Sequence, residues 1–285
     1  MAAGEAEGEK LTTIGELLEA DKDNTKFSQE VLNWFDPWFS KAFDVAANLF
    51  NCFMRAFSHE AKDDDDLQSD KDEQSILASL YSRRVRPLLL LQAYRSYMYS
   101  ATDFRRLRVT TAIGFLRVEI EAVALMLMIR DRSELAVEWY NIGMGREGVQ
   151  FYKKTSKEIK QFRERLDLET EWNLASAASQ HTRLVGMIDG LTRQDYRSDD
   201  RYVSDYSLAL QDYKQDKPEE YISRGLYILK TQAKLIPAMV ESLPEAADPI
   251  LLEQRIPIFM NGVGQLYRKF ENQFPEFIAT YRDGS

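Results

Sequence analysis

The chain has little of the residues that metal and thiol chemistry require. Its 285 residues include one cysteine, Cys52, and two histidines, His59 and His181. One cysteine cannot form an internal disulfide, and zinc sites built from three histidines or several cysteines are excluded by count. Neither histidine follows a glutamate by three residues, as helical di-iron sites require. We therefore expect no metal and no other cofactor.

The first residues of the sequence do not have the pattern expected of an export signal. Residues 1–8 are acidic and no apolar run follows them, unlike the pattern of a signal peptide. Together with the single cysteine, this predicts a cytoplasmic protein.

Glycine and proline are scarce, with 13 and 8 residues, while 44% of the chain is apolar. Long stretches repeat their apolar residues with helical rather than alternating spacing. The composition is therefore typical of an all-α protein, and the number of helical stretches predicts a multi-helix bundle. No strand is needed to account for any segment.

Basic residues are outnumbered by acidic ones, 37 against 46, which gives a formal net charge of −9. This balance does not favour a nucleic-acid-binding protein, because phosphate neutralisation requires a basic surface. Residues 60–73 alone contribute −6 and contain no periodic apolar residues, so they are interpreted as a solvated acidic linker. The rest of the chain carries only −3, which is compatible with a local basic patch.

One apolar run, residues 109–129, is long enough to span a membrane. It carries Arg117, Glu119 and Glu121 near its middle. Each such charge costs about 2.5 to 3.5 kcal/mol at the centre of a bilayer. The sequence therefore predicts a buried core helix here and no membrane association.

Polar segments divide the chain into three parts. Residues 1–25 are predicted to form a flexible tail, residues 26–200 a helical bundle core, and residues 201–285 a C-terminal helical subdomain packed on that core. A helix restarts at Asp36-Pro37, because these residues have the pattern of a cap followed by proline at the first helical position. The polar stretch 192–201 separates the two helical blocks.

Three further helices carry the candidate functional residues. They are predicted over residues 74–101, with an interruption at Arg86-Pro87, over residues 103–130, and over residues 168–191. On the second of these, Arg117 and Glu121 stand four residues apart and share a face.

Arg117 and Glu121 form the first candidate constellation. Because an unpaired buried charge is costly, they pair with each other or each meets a partner from another helix. Such a pair fixes helix register in the structural interpretation. In the functional one, Glu121 acts as an acid or base and Arg117 anchors an anion.

His181 is the second candidate. Leu174, Ala177 and Ala178 share its predicted helix face, and their small size allows another helix to approach closely. Two interpretations are open: a hydrogen-bonded core histidine, or a proton donor or acceptor that faces Glu121.

The segment Tyr94–Tyr99 interleaves aromatic and basic residues, a pattern that can stack bases. Half-buried packing with hydroxyl groups at the rim is the alternative. Two arginine triplets, Arg83-Arg84-x-Arg86 and Arg105-Arg106-x-Arg108, are interpreted as separate surface charges.

Three motifs lie between residues 75 and 190: Leu116-Arg117-Val118-Glu119-Ile120-Glu121-Ala122, Leu135-Ala136-x-x-Trp139-Tyr140 and Trp172-x-x-x-Ser176-x-x-x-x-His181-Thr182. Together they resemble a loose group of bacterial all-helical proteins of unassigned function. Proteins of similar appearance include the HEPN class of ribonucleases and nucleotide-binding modules, whose signature is an arginine followed after four to six residues by histidine. Neither histidine of this chain completes that signature. The resemblance thus implies a HEPN-like helical fold without HEPN-type cleavage.

The function predicted from these residues is a non-catalytic helical binding or protein-interaction module. Its surface is formed by helices 88–130 and 168–191, and its partner is another protein or a second copy of the chain. The alternative is a metal-independent helical enzyme that acts on RNA or nucleotides, with His181, Glu121 and Arg117 as its polar site.

Overall fold

The computed structural model describes residues 14–60, 73–142, 146–179, 191–198, 201–208, 218–244 and 251–278. Within these ranges the chain is an all-α multi-helix bundle, as predicted, to which one β-hairpin is added. Most of the predicted acidic linker, residues 61–72, lies outside the described residues.

Nine helices and two strands are described, together with a short π-helical segment. In chain order they are α1 (Ile14–Phe35), α2 (Pro37–Glu60), α3 (Glu73–Arg105), α4 (Val109–Asp131), α5 (Glu134–Tyr140), α6 (Arg146–Arg165), α7 (Glu169–Ser179), β1 (Leu191–Ser198), β2 (Arg201–Leu208), α8 (Pro218–Glu241), the π segment Leu251–Arg255, and α9 (Ile256–Gln273).

Helix α4 lies at the centre of the bundle. It packs against α3, α5, α6, α7 and α8, which explains why its sequence is apolar almost all round. The predicted buried core helix is therefore confirmed. In the part of the chain that the structure describes, no helix has the length and apolar character needed to cross a membrane.

The predicted helix restart at Asp36-Pro37 is confirmed. Asp36 Oδ1 accepts a hydrogen bond of 2.9 Å from the backbone N–H of Trp38, and Lys269 Nζ donates to Asp36 Oδ2 at 2.8 Å. Helix α1, however, begins at Ile14, inside the segment predicted to be a flexible tail. Arg108 Nη2 donates to both carboxylate oxygens of Asp21, at 2.7 and 2.9 Å, and so ties this part of α1 to the bundle.

Two helical hairpins, α3–α4 and α6–α7, turn in the same way. Leu107 and Asp167 both adopt a positive φ, at 61° and 51°. Arg108 N–H donates to the Asp103 carbonyl at 2.9 Å, and Leu168 N–H donates to the Arg163 carbonyl at 2.8 Å. These bonds satisfy the last carbonyls of α3 and α6 as a Schellman motif does. The motif usually contains glycine at the positive-φ position, which Leu107 and Asp167 occupy here.

The predicted interruption at Arg86-Pro87 is wrong, because α3 continues through Pro87. Proline removes one helical hydrogen bond there, and tertiary contacts compensate for the loss. Arg86 is buried, lies over the Phe57 ring at 5.3 Å, and donates through Nη1 to the Ser242 carbonyl at 3.0 Å. The same arginine thereby caps the C-terminus of α8.

Most of the polar stretch 192–201, which was predicted to separate two helical blocks, belongs to a β-hairpin. Strand β1 pairs with β2 in an antiparallel ladder that runs from Leu191 opposite Leu208 to Ser198 opposite Arg201. The two strands contain three tyrosines, one threonine and one valine, which are residues that favour strands. Helical periodicity elsewhere in the chain does not reveal this local preference.

The C-terminal helices share their core with the rest of the bundle. Tyr221 of α8 stacks on Phe104 with ring centroids 4.4 Å apart and donates its hydroxyl to the Phe104 carbonyl at 2.9 Å. A Cβ at Gly225 would lie 2.6 Å from the Phe104 ring, so only glycine permits this approach of α8 to α3. From α9, Phe270 packs against Phe35 of α1 at 6.2 Å.

Candidate functional site

Arg117 and Glu121 of α4 pair with each other, as the first of the two alternatives predicts. Arg117 Nε donates to Glu121 Oε1 at 3.3 Å, and the two side chains are 35% and 23% exposed. The pair therefore lies at the edge of the core, where water still reaches it.

Helices α6 and α7 complete this cluster. The guanidinium carbon of Arg117 lies 5.0 Å from the centroid of the Trp172 ring, and that of Arg163 lies 4.1 Å from it. Both distances are within the range of cation–π attraction. The indole of Trp172 is thus the meeting point of α4, α6 and α7, and neither Trp172 nor Arg163 was predicted to belong to the site.

Burial and neighbouring charges shift the pKa of Glu121 in opposite directions. Burial raises the pKa of Glu121, while the positive charges of Arg117 and Arg163 act in the opposite direction. Tyr152 of α6 has a raised pKa because of burial and, secondly, because of the negative charge of Glu121. Tyr152 therefore lies close enough to Glu121 for the negative charge of Glu121 to raise its pKa.

The predicted face of the His181 helix needs correction. In α7 the buried residues are Glu171 and Ala175, whereas Ala177 is exposed and Leu174 is half-buried. Small residues fit either side of a helix, and contacts made by Glu171 decide which side turns inward. His181 itself lies outside the described residues, so its pairing with Glu121 stays a prediction.

Glu171 belongs to a second polar cluster that the sequence did not indicate. Lys234 Nζ of α8 donates to Glu171 Oε1 at 2.8 Å and to Asp167 Oδ2 at 3.1 Å. Burial raises the pKa values of Tyr227 and Tyr267 strongly, and the charge of Glu171 adds to both shifts. Because Glu171 and Lys234 are 63 positions apart, no local motif predicts this pair.

Glu119, two residues before Glu121, is the charged side chain of α4 that is fully buried. It accepts a 2.8 Å hydrogen bond from Gln232 Nε2 of α8. Desolvation raises the pKa of Glu119 to about 8, although the hydrogen bond from Gln232 opposes the shift. The apolar surroundings of this glutamate in the sequence were the signal for burial, but its partner lies 113 positions away.

The aromatic and basic segment of α3 is divided between core and surface. Tyr97 is fully buried and donates to the Phe43 carbonyl at 2.7 Å, and Tyr94 packs on the Phe50 ring at 5.6 Å. Tyr99 is 57% exposed. The segment is therefore not a continuous platform for stacked bases.

The outer side of α3 exposes a regular pattern of residues, which we call the α3 face. Leu77, Leu88 and Tyr99 are 45%, 45% and 57% exposed and follow each other at intervals of 11 residues. Arg84 and Arg95, both exposed, stand seven residues after the first two of them. Eleven residues correspond to about three helical turns, so all five lie on one side of α3.

All three arginines of the second triplet form ion pairs with acidic residues of α1 or α2, and Arg106 Nε lies 3.7 Å from Asp21 Oδ2. Arg105 donates to the Ser40 carbonyl and to Asp44 Oδ1, both at 3.1 Å. Arg108 binds Asp21, as described above. These arginines fasten α1 and α2 to the α3–α4 turn and are not free surface charges.

No group of three or more histidine, cysteine, aspartate or glutamate side chains suited to a metal ion occurs among the described residues. Neither a protein-family model, nor a curated protein, nor a solved structure matches this chain. The HEPN-like resemblance consequently stays a prediction.

Proposed function

We propose that this chain is a cytoplasmic protein-interaction module that binds an acidic amphipathic helix on the α3 face. The observation that carries the proposal is the repeated spacing of seven and four residues from Leu77 through Arg84, Leu88 and Arg95 to Tyr99. At about 1.5 Å per residue the face extends over roughly 33 Å, which matches the length of a partner helix.

The side chains of the α3 face define the chemistry of the partner. Leu77, Leu88 and Tyr99 offer apolar contacts once per three turns, which suits the apolar side of an amphipathic helix. Among the described residues no carboxylate pairs with Arg84 or Arg95. Two carboxylates on the partner, also about three turns apart, would neutralise both arginines.

Charge also distinguishes this partner from a second copy of the chain. A two-fold interface repeats the same patch on both subunits. Two α3 faces would therefore place Arg84 and Arg95 against a second pair of arginines, and none of the five residues of the face is a carboxylate. The face suits an acidic partner better than itself.

The experiment uses a fluorescent synthetic helix that carries leucine and glutamate in the spacing of the α3 face, with binding measured by anisotropy. We expect Leu88→Gln to weaken binding by about tenfold, since a buried leucine contributes at least 1.4 kcal/mol. The double variant Arg84→Glu/Arg95→Glu should not bind this peptide. It should bind a second peptide in which lysine replaces each glutamate. Ile258→Gln, which changes another exposed apolar residue, on α9, is the control.

Two results would contradict the proposal. Unchanged binding by the Leu88 and arginine variants would remove the α3 face as the docking surface. A wild-type dimer that Leu88→Gln converts to a monomer, measured by light scattering, would show that the occupant is a second copy.

The enzymatic alternative stays a separate prediction. A helical enzyme acting on RNA or nucleotides would use His181, Glu121 and Arg117, of which the structure describes the last two as an ion pair. We expect His181→Ala to abolish such an activity without loss of stability if this alternative holds. Loss of stability alone would favour the core-histidine interpretation.

A further inference from the structure

Helix α6 is a basic element in an acidic protein. Its 20 residues include seven basic and three acidic side chains, a net charge of +4, whereas the whole chain carries −9. Such a local excess of positive charge attracts polyanions irrespective of the net charge of the protein, because screening confines the interaction to about 10 Å.

The basic side chains of α6 continue into the cluster around Trp172. Tyr152, Ser156, Lys160 and Arg163 follow each other at intervals of four, four and three residues and therefore lie on one side of α6. Lys153 lies beside this row and is exposed. We call these five residues the α6 stripe; at its C-terminal end Arg163 meets Trp172 and Arg117.

Both guanidinium groups at this end have donors to spare. Arg117 Nε donates to Glu121 Oε1 at 3.3 Å, and Arg163 Nε forms an ion pair with Glu169 Oε2, also at 3.3 Å. Among the described residues no hydrogen-bond acceptor contacts the terminal Nη atoms of these two arginines, although the Arg163 side chain is only 10% exposed. A guanidinium with free Nη atoms binds phosphate oxygens in a planar, bidentate way.

Aromatic rings stand beside these cations. Tyr152 is 43% exposed and near Glu121, and Trp172 is half-buried between α4, α6 and α7. Proteins that bind single-stranded nucleic acids combine cationic side chains, which contact the phosphate backbone, with aromatic side chains, on which the bases stack.

We propose that the α6 stripe, with Arg117 and Trp172, binds a short segment of single-stranded RNA or DNA. Lys153, Lys160, Arg163 and Arg117 contact the phosphates, and Tyr152 stacks on a base. From Tyr152 to Arg163 the stripe measures about 16 Å, which accommodates a few nucleotides. This inference rests on residues of α4, α6 and α7 and is independent of the α3 face.

The test measures anisotropy of a fluorescent oligouridylate and of the equivalent oligodeoxythymidylate as salt is raised. We expect Lys153→Gln with Lys160→Gln to reduce the slope of log K against log salt by about 1.4, since each neutralised phosphate contributes about 0.7 for single strands. Lys22→Gln with Lys26→Gln, a pair of lysines four apart on α1, is the matched control and should leave the slope unchanged.

A second variant tests whether bases as well as phosphates are bound. Tyr152→Leu should weaken oligonucleotide binding at least about fivefold, the lower end of the contribution of one stacked base. It should leave binding of inorganic polyphosphate unchanged. Tyr99→Leu, at an exposed tyrosine of α3, serves as the control.

Equal affinity of wild type and Lys153/Lys160 variants would overturn the proposal. So would a Tyr152→Leu variant that binds the oligonucleotide as tightly as wild type, because α6 would then attract any polyanion. Circular dichroism of each variant establishes that the helices are intact.

Discussion

Two glutamates of one helix, only two residues apart, have opposite surroundings. Glu119 is sealed in the core with a neutral partner, Gln232 Nε2, at 2.8 Å. Glu121 lies at the edge of the core with a charged partner, Arg117 Nε, at 3.3 Å. Two residues along a helix turn the side chain by more than half a circle, and that rotation separates core from edge.

The comparison shows that the partner, as well as burial, determines the ionisation of a carboxyl group. Burial raises the pKa of both glutamates, but only Glu121 has positive charges that oppose the shift. Without a cation nearby, the pKa of Glu119 rises to about 8. Near neutral pH Glu119 is therefore mostly protonated, and its neutral form suits a neutral amide partner.

The largest expected effect is a loss of stability with rising pH, caused by ionisation of Glu119. Its absence would contradict the comparison. The folded state holds its proton up to about pH 8, whereas the unfolded chain releases it near its ordinary pKa of 4.5. Since the folded state then binds more protons, the free energy of unfolding falls as pH rises from about 5 to about 9. The shift corresponds to a loss on the order of 5 kcal/mol, which urea denaturation at a series of pH values would measure.

Glu119→Gln is the control for that measurement. The amide keeps an oxygen that accepts from Gln232 but cannot ionise, so the variant should lose most of the pH dependence and exceed the wild type in stability at pH 9. An equal slope in both proteins would mean that Glu119 does not titrate as its surroundings indicate.

A smaller effect is expected when the neutral partner is removed. Gln232→Leu takes away the one hydrogen bond that the described residues give to Glu119, and it should lower the free energy of unfolding by about 1 to 3 kcal/mol at neutral pH. It should also raise the pKa of Glu119 further, since that bond lowers it. Thr231→Val, at the adjacent buried position, is the control; a Gln232→Leu variant no less stable than this control would contradict the role of Gln232.

The smallest effect concerns the ion pair at the edge. A double-mutant cycle with Arg117→Gln and Glu121→Gln should give a coupling energy below about 1 kcal/mol, because water and salt screen a pair that is 35% and 23% exposed. Denaturation at low and high salt measures it. A coupling energy above about 3 kcal/mol that does not depend on salt would mean that Glu121 is shielded from water as Glu119 is.

Part of the candidate site was predictable because it is local. Arg117 and Glu121 are one helical turn apart, so their spacing alone indicates a shared face, and the all-α bundle follows from helical periodicity. The helix restart at Asp36-Pro37 is local in the same sense. Trp172, Arg163 and Gln232 were not predictable, because helix packing brings them to α4 from distant parts of the chain.

Errors in the prediction have the same origin. The interruption at Pro87 was wrong because Arg86 donates to the Ser242 carbonyl at the end of α8 and lies over the Phe57 ring of α2. The face of α7 was misplaced because alanines give no preference, whereas Lys234 holds Glu171 inward. Helix α1 starts at Ile14, within the predicted tail, where Asp21 binds Arg108 across 87 positions.

The sequence by itself determined the fold class, the central apolar helix α4 and the shared helix face of Arg117 and Glu121, since each depends on periodicity within a few turns. The tertiary structure alone decided which glutamate is neutral, which arginines are structural and which helix faces stay open. Those properties depend on desolvation and on partners from other helices, and both are set only when the helices pack.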